Sequence, residues 1–110
     1  MDDDERKQTW DEFRELVNMQ PAALEKWLTS EQSQSAGQHV DGGESTGHAS
    51  GRRIVKILRA RNSDLSDDDY QHMRKVVGYI RRHLAQRPSG DVRDTRWRHS
   101  LMNWGHDPLA

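Results

Sequence analysis

The chain reads as all-α: a small domain of four or five helices with a long polar loop between the second and the third. Three observations carry this reading. Apolar residues recur three and four positions apart along most of the sequence, the spacing of one helix face. No run alternates with period two for long enough to make a strand, and no repeat of roughly 20 to 50 residues is visible. Serine, threonine and proline stand ahead of the apolar stripes, with glycine and proline after them, as helix starts and stops require.

The elements follow in order. Thr9 is placed to cap a first helix carrying Trp10, Phe13, Leu16 and Val17 on one side, and residues 1–8 read as a flexible acidic tail ahead of a domain over 9–110. Pro21 suits the first position of a second helix, whose stripe is Leu24, Trp27 and Leu28. From Glu31 to Ser50 the pattern stops, leaving one valine among small and polar residues, so 31–50 reads as a long loop. Ser50 is the expected cap of a third helix with Ile54, Val55, Ile57 and Leu58 facing inward. Ser66 caps the fourth, with Asp67, Asp68 and Asp69 in its first turn, where carboxylates complement the helix dipole. Tyr70, Met73, Val77, Ile80 and Leu84 form its seam, and Pro88 and Gly90 end it. A short last helix is expected from Thr95 to Asn103, contributing Trp97, Leu101 and Trp104 to the interior.

Composition bounds the function. A chain of 110 residues buries only about two thirds of its unfolded surface, and 32% hydrophobic against 32% charged residues makes a small core. The chain has no cysteine, which excludes disulfides and thiolate metal sites and suits a reducing, cytoplasmic location. The start, MDDDERKQTW, has no positive region and no apolar run, so neither a secretory signal nor a membrane segment is expected.

The net charge of −1 hides an asymmetry. Residues 1–50 hold 11 acidic and 4 basic side chains, whereas residues 51–110 hold 13 basic and 7 acidic ones, 11 of the 13 being arginine. Arginine's planar fork suits phosphate or carboxylate. The two halves therefore either leave a basic surface for a polyanion or fold against one another.

The stretch ESTGHASGRR, Glu44 to Arg53, poses the same choice locally. As a helix start it offers free N–H groups, a hydroxyl and two guanidiniums to a phosphate; as plain structure it is a turn with local caps and solvated or paired arginines. It is no P-loop and no dinucleotide fingerprint. The candidate nucleic-acid-binding residues are Ser50, Gly51, Arg52, Arg53, Lys56, Arg81, Arg82, Arg96 and Arg98. No catalytic, metal or cofactor site is expected. His72 and His83 lie 11 residues apart, about 16 Å along one helix, no other spacing suits a metal, and surface or capping roles fit the histidines better. A set written from Ser50, His48 and Asp41 lacks the strained elbow that a nucleophile needs. At least three of the four tryptophans are expected in the core.

The strings GHASGRRIVKILRAR, DDYQHMRKVVGYIRRHLAQRP and SLMNWGHDPL resemble a small bacterial family, domain of unknown function 3140, over about Phe13 to Leu109. Some of its members are labelled DNA-binding, so the resemblance implies double-stranded DNA as a partner without implying particular residues. The expected function is non-catalytic contact with the DNA backbone through arginines of the C-terminal half. The alternative is a protein-interaction module, or a dimer, whose basic face receives an acidic surface.

Overall fold

The computed structural model describes residues 1–36 and 46–110. Six α-helices form the described part: α1 (Asp3–Leu16), α2 (Pro21–Leu28), α3 (Glu31–Ala36), α4 (Thr46–Arg59), α5 (Asp67–Leu84) and α6 (Arg96–Asn103), with a 3-10 turn at Asn62–Asp64. No strand occurs among the described residues.

Several starts follow the sequence. Ser66 and Asp69 make a reciprocal capping box at α5, Thr95 caps α6, and Pro21 opens α2. Three others differ. The first helix begins at Asp3, not after Thr9: the Asp2 carboxylate caps the Glu5 N–H at 2.8 Å, and three further carboxylates occupy the first turn, so residues 3–8 are helical rather than tail. Thr9 is instead buried inside the helix. Residues 31–36, expected as loop, are helical because the Ser30 hydroxyl accepts from the Ser33 N–H at 3.1 Å. The third expected helix begins at Thr46, four residues before its supposed cap, and Ser50 lies within it. Residues 37–45, the rest of the expected loop, lie outside the described residues.

The core gathers one face of each long helix: Phe13 and Val17, Leu24 and Leu28, Ile54 and Ile57, Met73, Val76 and Ile80, Leu101 and Trp104. Each fully buried large side chain contributes about 1.5–3 kcal/mol. Trp104 is buried in this cluster, whereas Trp10, Trp27 and Trp97 are half-buried against it, so one tryptophan rather than the expected three or more lies fully in the core. The helices α1 and α5 run parallel, since Arg6 meets Asp67, Thr9 meets Arg74 and Glu12 meets Arg81 in ascending order. By contrast α2 runs against α4, with Leu28 at Gly51 and Glu25 at Arg59.

Two features lock α6 into place. Asn103 is 1% exposed; its Oδ1 accepts from Trp27 Nε1 at 2.8 Å and from the Ser33 hydroxyl, while its Nδ2 donates to the Ser33 carbonyl at 2.9 Å. One amide thus joins α2, α3 and α6. Gly51 lets α4 touch this junction: a Cβ there would stand 2.5 Å from the Asn103 carbonyl oxygen and 2.7 Å from Leu28 Cδ2.

A column of rings completes the packing. His83 stacks on Tyr79 at 4.3 Å, Tyr79 on Trp104 at 4.1 Å, and Trp104 faces His72 at 6.4 Å. Burial pushes the Tyr79 phenol up. His72 also meets the Ser50 hydroxyl at 2.9 Å. Burial, with Arg53 and Lys75 nearby, pushes its pKa down to about 4, so His72 is neutral at pH 7. Two other histidines close helix ends, His106 Nδ1 on the Leu16 carbonyl at 2.6 Å and His48 Nε2 on the Leu28 carbonyl, which matches the capping role expected of them.

Replacing Asn103 by Ala strands the Trp27 N–H and the Ser33 carbonyl, and is expected to cost about 2–4 kcal/mol in urea unfolding. Gly51→Ala, which overpacks against backbone, should cost about 1–3 kcal/mol in the same measurement. A folded pKa below the unfolded 6.5 means that the unfolded chain binds more protons between pH 6.5 and about 4. Stability is therefore level above that window and falls as pH drops through it, by about 1–2 kcal/mol for His72 once its partial exposure to solvent is allowed for. Unfolding curves of His72→Gln across the same range should show most of that slope gone. A residue of it remains from His83 and His99, whose pKa values are lowered likewise by burial and by adjacent arginines.

Candidate functional site

Charge pairing decides which of the cationic side chains still present a net field. Of the residues expected to grip phosphate, Ser50 and Gly51 are buried inside α4, and the Ser50 hydroxyl is engaged with His72. Neither faces a surface that an anion reaches. Glu44 and Ser45, the first residues of the Glu44–Arg53 stretch, lie outside the described residues.

Three of the expected arginines meet carboxylates. Arg53 pairs with Asp69 at 3.3 Å and Arg81 with Glu12 at 3.6 Å. Arg98 grips Asp107 through two nitrogens, each at 3.1 Å, and adds the Arg93 carbonyl at 2.9 Å. Burial pushes the Asp107 carboxyl up, but the Arg98 hydrogen bonds outweigh it and hold the group below its usual range. This half-buried bidentate pair anchors the C-terminal tail to α6 and is structural.

The remaining candidates separate into two grooves. Arg52, Arg53 and Lys56 line one of about 1010 Å³ between α2, α4 and the start of α5, together with Arg59. Arg82 and Arg96 line another of about 620 Å³ between α5, α6 and the start of α4, together with Lys75. Arg81 and Arg98 line neither.

The α5–α6 groove has an aromatic wall of Tyr79, Trp97 and Trp104 and a rim of Lys75, Arg82 and Arg96. No carboxylate lines it among the described residues. Lys75 and Arg82 are exposed on the same side of α5, seven residues and about 10 Å apart. Arg96 is held by its Nε bond to the Ala36 carbonyl at 3.3 Å. The rings themselves are occupied: Tyr79 has Trp104 on one side and His83 on the other, and the Arg87 guanidinium lies over Trp97 at 5.6 Å. The groove therefore presents cations and hydroxyls rather than open ring faces, a surface for phosphate more than for bases.

Lys75 is the residue that the sequence reading missed. Its signal was available, because a spacing of seven places it on the same helix face as Arg82. Among the described residues no group of three or more histidines and carboxylates is placed to hold a metal ion, and no helix is long and apolar enough to cross a membrane.

No curated protein and no solved structure matches the chain. A family model described as a protein of unknown function, DUF3140, does match it, over residues 12–102. That match spans most of the chain, including α2, α4, α5 and nearly all of α6, and the chain therefore belongs to the DUF3140 family.

Proposed function

We propose that this protein binds the phosphate backbone of double-stranded DNA, without catalysis, through the α5–α6 groove. The observation that carries the reading is the contrast between its rim and the other basic residues. Lys75, Arg82 and Arg96 stand around a groove with no carboxylate among its described lining residues, whereas Arg53, Arg59, Arg74, Arg81 and Arg98 each pair with an acid. Cations with no carboxylate among their described lining neighbours attract a polyanion, whose counterions are released on binding. The 10 Å or so between Lys75 and Arg82 is the axial rise of about three nucleotides along one strand. Nothing in the groove presents a set of side chains to base edges, so the reading is of backbone contact with little sequence preference.

Titration of labelled duplexes of unrelated sequence, at several salt concentrations, tests it. The parent should bind them with similar affinity, and the logarithm of the binding constant should fall linearly with the logarithm of salt. In Lys75→Gln/Arg82→Gln the slope should shrink by about 2, roughly one per lost phosphate contact, with affinity reduced alike for every sequence. Arg81→Gln, which removes a cation already paired with Glu12, should leave affinity within about twofold. An unaltered slope in the double variant, with its helical spectrum intact, would sink the assignment.

A further inference from the structure

A histidine stands among the cations of the α5–α6 groove. Positions 75, 79, 82 and 83 fall on one face of α5, and they bring Lys75, Tyr79, Arg82 and His83 together along the lining. His83 is half-buried. Its ring stacks on Tyr79 at 4.3 Å, its Nε2 meets the Tyr79 hydroxyl at 3.1 Å, and its carbonyl accepts from Trp97 Nε1 at 2.6 Å. These contacts hold the imidazole against the groove wall. The charged side chains that the described lining sets around it are Lys75 and Arg82 from α5 and Arg96 from α6, and Arg87 lies over the neighbouring Trp97 ring at 5.6 Å. Tyr79 is its titratable neighbour, while the described lining from α3 and α4, Ala36, Thr46 and Gly47, brings no charge. Burial and the adjacent Arg82 guanidinium lower the His83 pKa, so the free protein carries this ring neutral at pH 7.

We propose that the α5–α6 groove is proton-linked: a phosphate backbone binds there together with one proton, which the His83 imidazole takes up. This role rests on the reading of the groove as a site for backbone phosphate. Without an anion, an imidazolium at this position stands among cations and is disfavoured twice, by burial and by like charge. A phosphate seated on the Lys75, Arg82 and Arg96 rim reverses the second effect, because its negative charge favours the protonated ring. Protonation also makes Nε2 a donor. The Tyr79 oxygen then accepts from it, and the phenolic hydrogen is free to turn to a phosphate oxygen. One proton therefore adds both a cation and a hydrogen-bond donor to the lining. The coupling is reciprocal: acid strengthens phosphate binding by the factor by which phosphate favours the imidazolium. With the His83 pKa lower in the free protein than in the complex, affinity is level at pH above both values, rises as pH falls between them and is level again below.

The test measures binding of a labelled duplex without terminal phosphates, at fixed salt, to the full chain between about pH 8 and about pH 5.5. Phosphodiesters keep their charge throughout that range, and it lies above the titration of His72 at about 4. The parent should bind about two- to fivefold more tightly at the acid end than at the alkaline end. His83→Gln should lose that gain, whereas His99→Gln, whose ring is outside the groove lining, should keep most of it. His83→Lys, which carries a charge without needing acid, should bind more tightly than His83→Gln at both ends and show no gain. Circular dichroism checks that each variant is folded. Imidazole NMR signals of the parent read the same linkage without a substitution: the His83 titration should move to higher pH when the duplex is added. An unmoved His83 titration, or an equal gain in the parent and in folded His83→Gln, overturns the proton linkage; if Lys75→Gln/Arg82→Gln still shrinks the salt slope, the backbone reading stands without it. A salt slope unaltered in that double variant overturns the backbone reading, and the linkage with it.

Discussion

The Asn103 amide is the constraint on which the arrangement of the helices depends. A buried amide with no partner would cost several kilocalories per mole, so the Oδ1 and Nδ2 of Asn103 dictate where Trp27 and Ser33 stand. This settles the relation of α2, α3 and α6 at one point. It also sets the approach of α4, because the backbone carbonyl of the same residue lies where Gly51 alone leaves room. Apolar burial supplies most of the stabilisation, but it is not directional. The amide chooses among packings that would bury similar area.

Both grooves follow from that junction. With α6 fixed at its C-terminal end, Trp104 extends the ring column toward α5, and the α5–α6 groove opens with Lys75 and Arg96 among its lining residues. With α4 pressed on Leu28 at Gly51, its later turns carry Arg52, Lys56 and Arg59 along the edge of α2. The ring column stiffens the first groove, and its histidine ends stay neutral at pH 7 because burial lowers both of their pKa values. Charge on that side therefore comes from the lysine and arginines.

Much of the fold was legible in the sequence, for reasons that can be named. The α5 seam, its serine cap and the proline start of α2 rest on local rules that tertiary packing did not override. The helix α3 was illegible because its buried residues are Ser33 and Ala36, which carry no hydrophobic stripe; it is held by the Asn103 bonds, contacts 70 residues away in sequence. The early start of α4 was hidden likewise, because Gly47 and Gly51 look like turn residues while their smallness serves close packing. In the candidate site, the α5 arginines were visible as charges, but which of them would be neutralised was not. That depends on α1 lying parallel to α5, which brings Glu5 to Arg74 and Glu12 to Arg81, and no local spacing reveals it.

The opposite charges of the two halves thus meet, though only along part of the surface. Arg6 with Asp67, Glu5 with Arg74 and Glu12 with Arg81 tie α1 to α5, and Glu25 with Arg59 ties α2 to α4. Exposed pairs of this kind contribute about 0–1 kcal/mol each, too little to explain their recurrence along a helix pair that already buries Phe13 and Met73. Their larger effect is on the field. Two of the pairs cancel cations on the α1 side of α5, Arg74 and Arg81, whereas Lys75 and Arg82 line the groove on the α6 side, where no carboxylate stands among the described residues. One helix therefore carries a neutralised face and a cationic one. The charge asymmetry of the sequence, spread over whole halves of the chain, becomes in the folded molecule an asymmetry between two sides of α5.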